Sequence, residues 1–142
     1  MRPWVAFGAA VLSWIAADAA WGYQPAVNFQ LNCMGCHLAD GSGEADRVPS
    51  LRRSLVLFSA TPEGRQYVIR VPGVAQSPLS DAEAASLLNW MARNLSDVAL
   101  PPGFIDYTEA EVKELRAHPL AQVSAMRARL LKAAASSGRA TR

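Results

Sequence analysis

The chain has 142 residues, of which 51% are apolar and 18% charged, and its formal net charge is +2. That length holds one small domain and an appendage, and the composition excludes a chain disordered throughout. The charge balance is too mild for nucleic acid to be the main partner.

The N-terminus reads "MRPWVAFGAAVLSWIAADAAWG". Arg2 gives a short positive start, residues 3–17 form an uncharged apolar run, and small residues follow at the spacing of a cleavage site. This is the layout of a secretory signal peptide, assigned to residues 1–22. The run falls short of the roughly 20 residues that span a bilayer, so cleavage is expected rather than an anchor. The remaining chain is then periplasmic, with no stable membrane span. A domain that small often needs a disulfide, metal or cofactor beside its apolar core.

Next comes "YQPAVNFQLN", which reads as a helix, and it runs into "NCMGCH" at 32–37. Both cysteines of the protein, Cys33 and Cys36, lie here beside His37. A disulfide across two residues closes too short a loop to stabilise a fold. A redox dithiol would open a helix after a strand, and no strand-like run precedes Cys33. A zinc site needs four ligands, yet there is no second cysteine pair and His118 is the one other histidine. A contiguous Cys-x-x-Cys-His suits a third chemistry. Each thiol adds across a vinyl group of haem, and the histidine reaches the iron from the same turn. The motif therefore favours one covalent haem c, anchored by Cys33 and Cys36, with His37 as the proximal iron ligand.

Beyond the motif, the Gly-rich "ADGSGEAD" reads as a surface loop and residues 50–58 as a short helix. Thr61 caps a helix that has Pro62 at its first position and stops before Pro72-Gly73. Residues 70–81, "RVPGVAQSPLSD", read as a loop. Ser80 and Glu83 form a capping-box pattern, followed by Leu87, Leu88, Met91 and Leu95 at helical spacing. No segment alternates as a strand. The expected fold is all-α, a small helical domain over residues 23–98 wrapped around its cofactor.

Residues 99–107, "ALPPGFIDY", read as a linker, and "TEAE" from Thr108 to Glu111 is a second capping-box pattern. A helix should run from there to about Ala117, and Pro119 should separate it from a second segment ending near Ala135. Val112, Leu115, Val123, Met126 and Leu130 give this C-terminal helical extension an apolar face. It either packs back on the domain or docks on a partner. From Arg127 onward the chain carries Arg127, Arg129, Lys132, Arg139 and Arg142 with no acid, as expected of a solvated basic end.

Phe29 lies four residues before Cys33, "VPSL" places Pro49 and Leu51 after the haem motif, and Trp90 sits in "LSDAEAASLLNWM" at 79–91. In these features the stretch from about Tyr23 to Leu95 resembles the class I, monohaem c-type cytochromes. The resemblance implies that Phe29 and Trp90 pack across one another. It implies that the Pro49 carbonyl accepts the second ring N–H of His37, which fixes the tautomer. It implies a haem pocket of Phe29, Pro49, Leu51, Leu87, Trp90 and Met91. It further implies an electron carrier rather than an enzyme, with redox proteins as donor and acceptor: a periplasmic dehydrogenase on one side, another cytochrome or an oxidase on the other.

One departure stands out. The family usually supplies a second iron ligand, a methionine, from the loop before the last helix, and residues 70–81 hold neither Met nor His. Met34, between the two cysteines, is tied too close to reach the far face; Met91, His118, Met126 and Gln76 remain as candidates, Met91 being the weak preference, and so does an iron with no second protein ligand. An open iron would make the chain a haem protein that binds or turns over a small ligand. A third reading is a cytochrome subunit held to a larger oxidoreductase through the extension.

Overall fold

The computed structural model describes residues 22–45 and 47–136. The signal-peptide reading (but for Gly22), Asp46, Arg139 and Arg142 lie outside them. Seven helices form: α1 Pro25–Asn32, α2 Leu51–Ser59, α3 Pro62–Arg70, α4 Pro72–Ala75, α5 Asp81–Asn94, α6 Glu109–Arg116 and α7 Val123–Ser136. Among the described residues there is no strand, and Glu44 and Val48 make one isolated bridge. No described helix is long and apolar enough to cross a membrane.

The helix starts follow local chemistry. Thr61 accepts the Gly64 N–H at 3.2 Å to cap α3. Ser80 accepts the Glu83 N–H while the Glu83 carboxylate takes the Ser80 N–H, a complete capping box at the head of α5. At Thr108 the pattern is only half used. Its hydroxyl accepts the Glu111 N–H, but the Glu111 carboxylate turns away to Arg65. Gly64 allows a close turn between α2 and α3, because a Cβ there would collide with the Phe58 carbonyl.

The expected loop at 70–81 contains α4. Pro72 lacks an N–H to lose at a helix start, and the Val74 and Ala75 N–H groups close back on the Val71 carbonyl.

α5 runs along the middle of the molecule, with α1, α2 and α6 against it, while α3 carries α2, α6 and α7. Phe29 of α1 and Trp90 of α5 meet with ring centroids 5.8 Å apart. Leu55, Phe58, Ile69, Leu88 and Ala92 fill the centre. Tyr107, Val112 and Leu130 belong to the same apolar core, so the C-terminal extension packs back on the helices before it.

That extension is fastened at several places, three of them around Tyr107. The Asn89 side-chain amide pairs with both backbone groups of Tyr107, at 2.9 and 2.8 Å, as a strand neighbour would. The Tyr107 and Ser59 hydroxyls lie 2.5 Å apart. Because Ser59 Oγ already donates to the Leu55 carbonyl, Tyr107 is the donor of this bond. Arg65 forks onto Glu111 at 2.5 and 2.7 Å, donates to the carbonyls of Ile105 and Asp106, and lies over the Tyr107 ring.

Candidate cofactor site

α1 ends at the two cysteines. The Cys33 N–H closes on the Phe29 carbonyl, and the N–H groups of Cys36 and His37 fold back on the Cys33 carbonyl at 3.1 and 2.9 Å. This turn carries Cys33, Cys36 and His37 on a single bend of the backbone. Both cysteines are free; Cys33 is half-buried and Cys36 exposed. Burial, reinforced by the nearby Cys36, pushes the Cys33 thiol up. A redox dithiol has its attacking thiol lowered instead, so the environment argues against that chemistry.

His37 faces a cavity of about 270 Å³. Its walls are Pro49, Leu51, Ser54, Leu55 and Phe58 on one side, and Tyr67, Val68, the 71–74 segment, Leu88 and Met91 on the others. A smaller cavity next to it is lined by Cys33, Ser77, Leu79, Leu87, Leu88 and Met91. Burial holds the His37 pKa below the usual histidine value and so favours the neutral ring, the form that binds a metal. His37 Nδ1 is buried without a hydrogen-bond partner. The bond to the Pro49 carbonyl is therefore not made, although both residues line the same cavity.

The other residues expected at the site fall into two groups. Pro49, Leu51 and Met91 line the main cavity and Leu87 the smaller one. Phe29 and Trp90 stand behind these walls, where they brace α1 against α5. Among the candidates for the second ligand, Met91 is buried on the cavity wall. Gln76 and His118 are exposed, Met34 points outward from the turn at 40% exposure, and Met126 lies in a separate surface groove.

Two contributions to the cavity lie beyond the residues expected from sequence. Tyr67, Val68, Val71 and Val74 share a helical stripe that crosses from α3 into α4, and that spacing is present in the sequence. Arg127, which reads as part of a basic end, instead reaches the cavity from α7 and holds its guanidinium 5.9 Å from the Phe58 ring centre. It also lines an adjoining polar cleft with Ser50 and Ser124. Its only signal is its place one turn after Val123, on the face that packs inward.

The donor set fits a covalently held haem: two unpaired thiols, a neutral imidazole with an orphaned buried nitrogen, and an apolar cavity in front of them. It does not fit a zinc site, since no group of three or more His, Cys, Asp or Glu side chains comes together among the described residues.

No family model matches the chain. Two proteins of Thermus thermophilus do, both called cytochrome c-552. Each is 34% identical over 118 residues, which takes in 69% of this chain and 90% or 80% of the relative. With that likeness spread over most of both sequences, the chain belongs to the c-type cytochromes, a family of electron carriers with covalently bound haem c.

Proposed function

We propose that the chain is a monohaem carrier which accepts electrons from a periplasmic dehydrogenase and delivers them to another cytochrome or an oxidase. The observation that supports this best is His37, with a buried, unpartnered ring nitrogen, set on an apolar cavity beside two free cysteines. Haem c supplies one-electron exchange at its iron. The protein supplies attachment, orientation and a low-dielectric surrounding.

Cys33 and Cys36 would hold the haem by thioether bonds, and His37 would bind its iron. Pro49 would line the haem pocket on the same cavity wall as His37. Leu51, Leu87, Leu88 and Met91 would enclose the macrocycle. Arg127, Ser50 and Ser124 would face its carboxylate edge, where the apolar cavity meets the polar cleft. Among the described residues Met91 is the thioether on the cavity wall, and so the side chain to test as second ligand. Electrons would cross near Cys36, where Met34 and Leu38 are exposed.

The test is the absorption spectrum of holoprotein made with a cytochrome c maturation system: oxidised, reduced, and reduced with CO. A c-type spectrum, haem that stays with the chain through acid-acetone extraction, and reversible one-electron reduction are expected. Extractable haem would sink the reading. A second reading, an iron open to small ligands, is favoured by the wall of residues 71–74, which offers no sulfur or imidazole. A full CO shift would select it. A spectrum that resists CO and changes in Met91→Ala would select the six-coordinate carrier.

A further inference from the structure

Arg116, the last residue of α6, is deeply held, with 14% of its side chain exposed. Its guanidinium donates to the Leu79 carbonyl at 2.7 Å, to the Ser77 carbonyl at 2.7 Å and to the Ala75 carbonyl at 3.3 Å. A further bond goes to Asp81 Oδ1 at 3.1 Å. The carbonyls belong to Ala75, the last residue of α4, and to Ser77 and Leu79 in the stretch that follows it, and Asp81 is the first residue of α5. Buried carbonyls outside a helical ladder need partners, and a planar fork of N–H donors supplies several at fixed angles.

The other end of the same stretch is tied as well. Arg70 Nε donates to the His118 carbonyl at 2.7 Å, and the Leu120 N–H returns to the Arg70 carbonyl at 2.9 Å. Residues 116–120 thus grip the 70–81 segment at both ends. That segment forms part of the wall of the cavity that holds His37, through Val71, Pro72, Gly73 and Val74, and of the smaller cavity through Ser77 and Leu79.

Building on the haem reading above, we infer that Arg116 is a positioning residue: it fixes the 70–81 segment where that segment lines the cavity holding His37, and thereby controls entry of outside ligands to the iron. No side chain of that wall supplies a sulfur or an imidazole, so its position rests on the carbonyl clamp rather than on a bond to metal. Without Arg116 the three carbonyls lose a shared donor, Asp81 loses its partner, and the segment opens locally.

The experiment measures imidazole binding to ferric holoprotein, by titration and stopped flow, in the wild type, Arg116→Ala, Arg116→Lys, Asp81→Asn and Arg65→Ala. Unfolding in denaturant is followed in parallel. Arg65→Ala is the control, since it cuts another arginine tie of the extension without touching residues 70–81. Arg116→Ala should bind imidazole about tenfold faster or tighter, with Arg65→Ala unchanged despite a comparable loss of stability. Arg116→Lys should not restore the wild-type rate, because an ammonium cannot span three carbonyls. Asp81→Asn, which loosens the clamp and leaves it in place, should rise about threefold and carries the test if Arg116→Ala does not fold. Unchanged binding in Arg116→Ala or, failing that, in Asp81→Asn would overturn the inference, as would an equal rise in Arg65→Ala. Wild-type protein without covalent haem would overturn the functional reading and this inference together; with haem in place, only the inference is at stake.

Discussion

Two segments that line the cavity are built in opposite ways. The His37 wall is local. Its backbone bonds run from Cys36 and His37 to Cys33, from Gly41 to Leu38, from Leu38 to Ser42 and from Leu51 to Gly41. Gly41 adopts a φ of 78°, and a Cβ on Gly43 would strike the Val48 carbonyl, so the turn depends on glycine at both points. The wall of residues 70–81 is held by Arg116, Arg70 and Leu120, all bonded across a long stretch of chain. Where the cavity needs particular atoms, contiguous residues provide them. Where it needs a surface kept in place, side chains from a distant segment do so.

The difference can be broken from either side. The largest effect belongs to the local wall: the double variant Cys33→Ala, Cys36→Ala should lose covalent haem entirely, read as the absence of haem staining on a denaturing gel. Haem that survives there would remove the anchor from these residues. On the distant side, Arg65→Ala removes a largely buried fork onto Glu111 and leaves the carbonyls of Ile105 and Asp106 unserved. A cost of about 3 kcal/mol is expected in denaturant unfolding. A cost near zero would mean that this fork contributes little to holding the extension on the helices before it.

The anchor beside it should be sensitive to alkali. Burial pushes the Tyr107 hydroxyl from 10.0 up to about 12. The folded state therefore holds this proton more tightly than the unfolded chain does. Its contribution is complete below about pH 10 and is lost as pH rises through about 12, amounting to about 3 kcal/mol. Denaturant midpoints across that range should fall, and Tyr107→Phe should flatten the decline. The smallest effect is Ser80→Ala, which removes the capping box where the 70–81 segment joins α5. It should cost about 1 kcal/mol and leave the haem spectrum unchanged.

What is legible in the sequence follows the same division. The caps at Thr61 and Ser80, the turn at Cys33–His37 and the meeting of Phe29 with Trp90 depend on neighbours in sequence or on a resemblance, and all are present. Glu111 shows where local reasoning stops. Its capping pattern is formally complete, but a paired guanidinium outweighs the return bond to Thr108, and nothing near Thr108 announces Arg65. Arg116 is equally invisible, because a basic residue near a helix C-terminus is ordinary in any sequence. Arg127 looks like part of a solvated end for the same reason. Which arginines enter the interior depends on packing across the chain, and spacing does not encode it. α4 escapes a reading by periodicity because four residues give too short a period to count.

The clamp on the 70–81 segment also sets an order in time. A chain emerging from its N-terminus presents Cys33, Cys36 and His37 early and Arg116 in its last fifth. Until that late segment arrives, the carbonyls of Ala75, Ser77 and Leu79 have no guanidinium to gather them. The side of the cavity they adjoin is therefore the last to be fastened.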